Sequence, residues 1–494
     1  MKRPDEIFDI VLLDEKSKRG ENYSMDPKTF TLSRDEMMES LDRVSEMILE
    51  HFTDLRKKPV TRKKTRQELD SIIVDTFPAD GVPIAELLSV IKSHVMSNIM
   101  HLDHPRFFAF VSSPSNFVSV LADALVSAFN VFNGTWIEAS SAAKIELTVL
   151  GWFREAFGLP ESAGGLFVSG GSIANMTAMC AARDHRLRNS IANGIAYYSD
   201  QAHSSIKRGL HIVGIPIKNQ RTIPTTEKFE IDVHILTREI EMDIQAGKTP
   251  FLIVASAGTT NTGTVDPFRA IRTIADQYDM WLHIDGAYGA AAAFSESERS
   301  VLRDIRLADS ISIDPHKWLF QPYEAAILVM KDRSLLLDTY RVFPEYLQDV
   351  QGSGEQPNFC DYGPQLTRSF KALKVWLSFL VFGKKGLSNA ISKGFELAKY
   401  AERIIDKSED LHLITKAQMA IVCFRYGDGD RMQATITARV ASDGYAMVST
   451  TILNGRTAIR LCTINPRTTE SDIKNTLDLI VRTGALVKSE LDTG

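Results

Sequence analysis

The middle of the chain alternates short apolar runs with segments long enough to form helices, and this alternation constrains the fold more than any other feature. The apolar runs are rich in β-branched and aromatic residues, as buried strands usually are. They are Ile195–Ser199, Phe251–Ala255, Trp281–Ile284, Ser310–Ile313 and Ala326–Met330. The pattern predicts an α/β fold with a mostly parallel central sheet flanked by helices. In such sheets ligands bind at the carboxyl ends of the strands.

The regions on either side of this core have different patterns. Apolar residues recur at helical spacing over 34–56 and again near 84–100. After about residue 386 a helix-like segment, 388–408, is followed by three strand-like segments and a last helix that begins at Glu470. The strand-like segments are 419–426, 445–453 and 457–464. Three parts are therefore predicted. They are an N-terminal helical segment over 1–114, a large α/β domain over 115–385 and a small α+β domain over 386–494.

Composition and charge exclude several classes of protein. The 494 residues are 44% hydrophobic and 24% charged, with a net charge of −5, which gives no general reason to bind nucleic acid or membrane. No apolar stretch approaches the ~20 residues that cross a bilayer. The four cysteines form no C-x-x-C pair, and acidic residues interrupt the first ten positions. We therefore expect free thiols and a cytoplasmic location.

A glycine-rich turn follows the apolar segment that ends at Val168. Gly170, Gly171 and Ser172 lead into a helix-forming run, so the first free N–H groups of that helix form a candidate phosphate-binding cup with Ser172 as its cap. The same residues approximate a nucleophile elbow. Ser172, Asp285 and His316 follow in the chain order of α/β-hydrolases, which leaves a serine hydrolase open as an alternative.

Four further candidate residues follow other predicted strands. Asp285 ends one strand, where a carboxylate could hold a protonated ring nitrogen, and Ala287 leaves room for a flat ring. Lys317 lies between His316 and Trp318, where partial burial would favour the neutral amine that forms a Schiff base. His203 follows another strand and could stack on a planar cofactor. An anion cup, a stacking histidine, a ring-nitrogen acid and a reactive amine together match what pyridoxal phosphate requires.

The chain resembles a known family, the group II pyridoxal-phosphate-dependent amino acid decarboxylases, especially the aromatic-L-amino-acid and tryptophan decarboxylases. The resemblance runs from about residue 30 to 485, and Asp314-Pro-His-Lys317-Trp is its most specific motif. The segments that carry it are His104–Phe110, Val168–Ser172, Asp200–Ser204, Ala257–Thr260, His283–Tyr288, Asp314–Trp318 and Tyr346–Leu347. The resemblance implies the fold type I of pyridoxal-phosphate-dependent transferases, similar to aspartate aminotransferase.

The resemblance also implies roles for single residues. Lys317 forms the Schiff base with pyridoxal 5'-phosphate, and Asp285 pairs with the ring nitrogen. His203 stacks on one ring face while Ala287 packs against the other. The remaining implied cofactor contacts are Gly171 and Ser172 at the phosphate, Thr260 near His203, and His316 near the phosphate and a mobile loop. Some family members have Asn at position 314, and the role of Asp314 stays open.

Tyr346 is the implied acid that protonates the substrate carbon after CO2 is lost. The Gly- and polar-rich segment 349–357 that follows resembles a mobile lid, which in this family reaches into the active site of the partner subunit. A homodimer with active sites at the subunit interface is therefore expected. Related aldehyde synthases have Phe in place of this Tyr, so Tyr346 favours decarboxylation, with an aldehyde synthase as the alternative.

The sequence specifies the substrate less well. Aromatic residues lie where the family builds its side-chain pocket, and they favour an aromatic or large apolar L-amino acid. They are Phe107, Phe108, Phe110, Phe132 and Trp136. Glu138 and Cys360 depart from the pattern expected for a tryptophan-specific enzyme, which leaves aliphatic or polar side chains open. His101, Asp103 and His104 have metal-ligand spacing but no identifiable third partner, so no metal is predicted.

Overall fold

The computed structural model describes residues 30–73, 77, 81–188, 190–342 and 355–493. Within these ranges the α-helices are α1 (Arg34–Asp54), α2 (Arg66–Asp70), α3 (Ile84–Val90), α4 (Phe117–Phe129), α5 (Trp136–Phe157), α6 (Gly171–Leu187), α7 (Ser204–Ile212), α8 (Val233–Gln245), α9 (Phe268–Gln277), α10 (Ser334–Tyr340), α11 (Ala372–Asp406), α12 (Asp430–Asp443) and α13 (Glu470–Thr493). The strands are β1 (Gly164–Val168), β2 (Gly194–Ser199), β3 (Gln220–Ile223), β4 (Thr249–Ser256), β5 (Trp281–Asp285), β6 (Ser310–Ile313), β7 (Ala326–Met330), β8 (Leu411–Gln418), β9 (Ile421–Tyr426), β10 (Ser449–Leu453) and β11 (Arg456–Cys462).

Seven strands form the large sheet, in the order β1-β7-β6-β5-β4-β2-β3. The neighbours from β6 to β3 pair in parallel, whereas β7 is antiparallel to both β1 and β6. Because β1 and β6 are both antiparallel to β7, β1 points in the same direction as the parallel strands. The prediction of a mostly parallel sheet flanked by helices is confirmed, and the carboxyl ends of six strands meet at one edge.

Burial explains why these segments form strands. The residues of β1, β2, β5, β6 and β7 are all buried, as expected for a sheet covered on both faces. Strand β3 was not predicted, because only its first and last residues, Gln220 and Ile223, are buried and its sequence is largely polar.

A second, four-stranded sheet lies in the C-terminal part, in the order β10-β11-β9-β8 with every neighbour antiparallel. This agrees with the expected α+β character, although β8 was missed because its hydrophobic residues alternate irregularly with polar ones. Helix α11 continues across residue 385 with a kink at Gly383, whose φ of +65° favours glycine. The boundaries at residues 114 and 385 stay predictions.

The N-terminal helices pack weakly on the rest of the chain. A capping box formed by Ser33 and Glu36 starts α1, yet none of its 21 residues is buried. The stretch predicted as one helix near 84–100 begins as α3 and continues through a π-helical turn to a 3₁₀ turn that ends at Asn98.

Among the described helices, none combines the length and hydropathy needed to span a bilayer.

Candidate active site

Five candidate segments follow the carboxyl ends of β1, β2, β4, β5 and β6, and therefore lie at the same edge of the large sheet. Electrostatic interactions connect them. The charges of Asp285, Lys317 and Asp314 all act on the His203 imidazole, and Asp285 also acts on the Lys317 ammonium. The four side chains therefore lie close enough together at this edge for their charges to interact.

The glycine turn after β1 forms a cradle at the start of helix α6. Gly170 is the N-cap in an extended conformation, and the helix begins at Gly171. A Cβ atom on Gly171 would lie 2.9 Å from Asp314 Oδ2 and 3.2 Å from the Ala287 Cβ. Only glycine fits without displacing these atoms. The first N–H groups of a 17-residue helix remain available for an anion.

Ser172 does not cap the helix, so that part of the prediction is wrong. It is the second residue of α6 and is exposed, and no side-chain hydrogen bond caps the helix. The cap falls on Gly170 because the chain is extended there and turns helical one residue later. The absence of a capping side chain keeps the helix terminus open to a ligand.

Lys317 projects into the site from the turn after β6. Its ammonium nitrogen lies 2.8 Å from Asp314 Oδ2, and its side chain is 24% exposed. Burial lowers the pKa of Lys317, but the charge and hydrogen bond of Asp314 outweigh this effect and leave the pKa above its usual value. The other Asp314 oxygen, Oδ1, is buried and has no hydrogen-bond partner among the described residues.

Asp285 is the last residue of β5 and is 8% exposed. Its Oδ2 accepts a hydrogen bond of 3.0 Å from the Asn175 side-chain amide, and its Oδ1 accepts one of 3.1 Å from the Ala287 backbone. The carboxylate is therefore held in a fixed orientation, as pairing with a ring nitrogen would require.

His203 caps helix α7 at the opening of the site. Its Nδ1 accepts a hydrogen bond of 3.2 Å from the Ser205 backbone N–H, so in the neutral ring the proton lies on Nε2. The residue is exposed overall, although its imidazole is partly buried. This partial burial lowers the pKa of His203, and the charge of Asp285 opposes the shift.

The other predicted cofactor contacts occupy the same edge. The backbone carbonyl of Ala287 accepts a hydrogen bond of 2.8 Å from the Asp314 N–H. His316 Cε1 would lie 3.9 Å from a Cβ atom added to Gly170. Thr260 lies in the loop after β4. The next residue, Asn261, donates to Gln201 at 3.0 Å and so joins this loop to the turn that carries His203. The roles of these residues remain predictions.

The side chains do not form the hydrolase triad. In the described part of the chain, no hydrogen bond joins Ser172 to His316 or His316 to Asp285. His316 Nδ1 accepts the Ala325 backbone N–H at 3.1 Å, and its Nε2 is 3.6 Å from Asp314 instead. The geometry gives no support to the serine hydrolase alternative.

Part of the predicted substrate pocket is core. Phe107 and Phe108 are 0% exposed and belong to hydrophobic clusters in the interior, so their assignment to the pocket is wrong. Phe110 is 56% exposed, and Phe132 and Trp136 are partly buried. Tyr346 and residues 349–354 of the lid segment lie outside the described residues.

Two residues whose roles were left open have clear surroundings. Glu138 is exposed, and its Oε2 accepts the Thr135 hydroxyl at 2.6 Å. Cys360 is buried, and burial raises the pKa of its thiol to about 11, so the thiol stays protonated near neutrality.

Asp103 pairs with His51 at 2.8 Å. Across the described ranges no cluster of three or more metal-ligating side chains occurs.

Sequence reasoning missed the polar residues that lie behind the site. Asn175, Ser205, His283 and Ser310 form hydrogen bonds with one another or with Asp285 and His203. A histidine two residues before Asp285 was visible in the sequence. Its partner Asn175 lies 108 positions away, and no local signal links the two.

The residues present fit pyridoxal phosphate. The Gly171 cradle leaves room at a helix N-terminus for a phosphate, Lys317 supplies the amine, and Asp285 and Ala287 border the space between them. An acid beside the phosphate is unfavourable by itself, but Asp314 is already paired with the Lys317 ammonium.

Comparison with known proteins agrees with this geometry. Residues 67–427 match the family described as the pyridoxal-dependent decarboxylase conserved domain. An aromatic-L-amino-acid decarboxylase of Bacillus atrophaeus is 40% identical over 466 residues, which cover 92% of this chain and 96% of that protein. A phenylacetaldehyde synthase of a Rosa hybrid cultivar is 29% identical, with 80% and 81% covered. The crystal structure of Oryza sativa TDC with PLP and tryptamine superposes with a TM-score of 0.88 at 26% identity, and 94% of this chain and 100% of that chain are covered.

Proposed function

The chain belongs to the pyridoxal-dependent decarboxylase family, and we propose that it converts an aromatic L-amino acid into the corresponding amine and CO2. The observation that carries this proposal is the convergence of Lys317, Asp285 and His203 beside the Gly171 cradle. Pyridoxal phosphate, when bound, supplies an electron sink for the pair of electrons that CO2 leaves behind at the substrate Cα.

The protein's own residues hold and orient the reactants. The N–H groups at the start of α6 would bind the phosphate, and the Lys317 amine would hold the cofactor at its aldehyde. Asp285 keeps a proton on the ring nitrogen, because its carboxylate is buried and fixed by Asn175 and Ala287. His203, the N-cap of α7 at the same edge, would cover one face of the ring.

Protonation of Cα needs an acid on the substrate side. Tyr346 is assigned this role through the family resemblance, and its phenol suits it because a phenol holds its proton at neutral pH. Retention of Tyr rather than Phe supports amine formation. The similarity to a phenylacetaldehyde synthase makes aldehyde formation the second candidate, and product analysis separates the two.

The aromatic substrate class rests on the relatives, one of which carries the name aromatic-L-amino-acid decarboxylase at 40% identity. Phe110, Phe132 and Trp136 remain as candidate aromatic walls. Glu138 is exposed within the same segment as Trp136, which keeps a polar substrate as the alternative.

The active unit is a homodimer in this proposal. Helix α1 buries none of its residues, although Met37, Leu41 and Leu49 make one side of it apolar. Helix α4 also exposes large apolar residues, which are Phe117, Leu121, Leu125 and Phe129. Helix faces that expose several large apolar side chains in this way often form interfaces. The free thiols of all four cysteines support a cytoplasmic location.

One experiment tests the reaction. Purified protein supplied with pyridoxal phosphate is incubated with each of the twenty common L-amino acids, and CO2, amine and aldehyde are measured. We expect CO2 and amine in equal amounts from one or more aromatic substrates. Lys317→Ala, the matched control, should release none. No CO2 from any substrate, from protein that binds the cofactor, would overturn the proposal.

A second experiment tests whether the lid acts on the partner's site. Lys317→Ala and Tyr346→Phe subunits are co-expressed with different affinity tags. If Tyr346 acts across the interface, a mixed dimer regains one intact site, and an equal mixture recovers about a quarter of wild-type activity. If Tyr346 acts within its own subunit, the mixture stays as inactive as its parents.

A further inference from the structure

Asn175 holds two parts of the active site with one side chain. It lies on α6 and is 1% exposed. Its amide nitrogen donates one hydrogen bond to Asp285 Oδ2 at 3.0 Å and one to the Ser205 hydroxyl at 3.2 Å. Both amide protons are thus used, and both point toward groups that reach the cofactor space.

A chain of hydrogen bonds fixes the orientation of this amide. The His283 Nε2 lies 3.0 Å from Asn175 Oδ1, and the His283 Nδ1 lies 2.8 Å from the Ser310 hydroxyl. The Trp281 indole donates to the same hydroxyl at 2.9 Å. We call Trp281, Ser310, His283 and Asn175 the amide relay.

The two ends of the amide relay determine its direction. An indole N–H only donates and an ionised carboxylate only accepts, so the hydrogen bonds run from Trp281 to Asp285. Because Asn175 Oδ1 only accepts, the proton of a neutral His283 lies on Nε2. Burial lowers the pKa of His283 to about 4, which keeps it neutral at physiological pH.

A branch of the amide relay reaches the other ring contact. The Ser205 hydroxyl that accepts from Asn175 lies 2.8 Å from His203 Nδ1, to which it donates. Asp285 at the ring nitrogen and His203 at the ring face are therefore both tied to the Asn175 amide. A shift of that amide would move both contacts together.

We propose that Asn175 is a positioning residue for the cofactor ring, and that His283 sets the orientation of its amide. This rests on the function proposed above, because it takes Asp285 and His203 to be the ring contacts. The N–H bond to Asp285 stabilises the ionised carboxylate and its aim at the ring nitrogen, and the bond to Ser205 sets the tautomer and tilt of His203.

The first test compares Asn175→Ala with Asn219→Ala. Asn219 is an equally buried asparagine whose amide donates to the Ala192 backbone, away from the relay. The dissociation constant of pyridoxal phosphate is measured by titrating cofactor-free protein. Loss of a hydrogen bond to a charged group predicts a roughly 10- to 100-fold weaker cofactor affinity for Asn175→Ala. Asn219→Ala should stay within about twofold of wild type.

A cofactor analogue with CH in place of the ring nitrogen separates positioning from general damage. The analogue cannot pair with Asp285, so Asn175→Ala should weaken its binding much less than it weakens pyridoxal phosphate. Ser205→Ala removes only the hydroxyl that links Asn175 to His203, so it should weaken the binding of both ligands equally. Equal losses for both ligands in Asn175→Ala would contradict action through Asp285.

A second pair of variants tests His283. In His283→Gln the side-chain amide reaches the place of Nε2 and still donates to Asn175, whereas in His283→Asn it reaches only the place of Nδ1. We expect His283→Gln to retain tighter cofactor binding and a visible-absorbance pH profile closer to wild type. The same loss in both variants overturns the role of His283. A wild-type protein that binds no pyridoxal phosphate instead refutes the proposed function itself.

Discussion

The Lys317 ammonium nitrogen and Asp314 Oδ2 are 2.8 Å apart, and Asp314 is 2% exposed. Asp314 keeps the pKa of Lys317 high although burial lowers it. Because only the neutral amine attacks an aldehyde, Asp314→Asn should lower the pKa of Lys317 and speed its reaction with pyridoxal. Each unit of pKa gives about a tenfold larger neutral fraction. The measurement is the rate at which pyridoxal attaches to Lys317 in cofactor-free protein between pH 6 and 10, with borohydride used to trap the attached pyridoxal.

Asp314→Glu is the matched control, because it keeps the charge while moving the carboxylate. The pH at which its trapping rate is half-maximal should lie near the wild-type value. For Asp314→Asn that pH should be lower. An unchanged midpoint in Asp314→Asn would show that the ion pair does not control the lysine.

Asp285→Asn should lower decarboxylation strongly, since an amide does not stabilise a protonated ring nitrogen as a carboxylate does. We expect kcat to fall by roughly 10²-fold or more, at 1.36 kcal/mol per factor of ten. The measurement is CO2 release at saturating substrate and cofactor, with cofactor content determined separately. A kcat within threefold of wild type, with full cofactor loading, would remove Asp285 from its assigned role.

Much of this site is predictable from sequence because a parallel sheet collects strand ends at one edge. Asp285 ends β5, while Lys317 and Gly171 follow β6 and β1, so chain order alone brings them together. The Asn175–His283 bond is not predictable in this way, because it depends on how α6 packs over β5. Burial likewise decides that Phe108 belongs to the core, whereas an aromatic segment looks the same in either setting.

Tyr346→Phe should reduce amine formation by roughly 10²- to 10⁴-fold, the range for loss of one general acid. Aldehyde should become the larger share of product if the substitution also redirects the reaction. The measurement is the separate quantification of amine and aldehyde over time. Unchanged amine output rules out Tyr346 as the acid.

Removal of one partner from the buried ion pair beside β1 should destabilise the fold strongly. Glu146 is 0% exposed and Arg368 is 4% exposed, and Arg368 Nη2 lies 2.6 Å from Glu146 Oε1. Glu146→Gln leaves the Arg368 charge without its counter-ion, so the free energy of unfolding should fall by about 3–5 kcal/mol. Urea unfolding at constant protein concentration measures it. The double variant Glu146→Leu/Arg368→Met should lose less than the sum of its single variants, and simple additivity would contradict the pairing.

His283 should also make stability depend on pH. Its pKa is about 4 in the folded chain because it is buried, against 6.5 as the ordinary value. Between these values the unfolded chain binds more protons, so the His283 contribution is complete above pH 6.5 and is lost as pH falls toward 4. From pH 7.5 to pH 5 the loss is about 2 kcal/mol. His283→Gln has no such proton to bind, so its free energy of unfolding should fall by that much less over the same range. Parallel pH dependences in urea unfolding of the two proteins would mean that His283 titrates normally in the folded state, and burial would then not keep the ring of the amide relay neutral below pH 6.5.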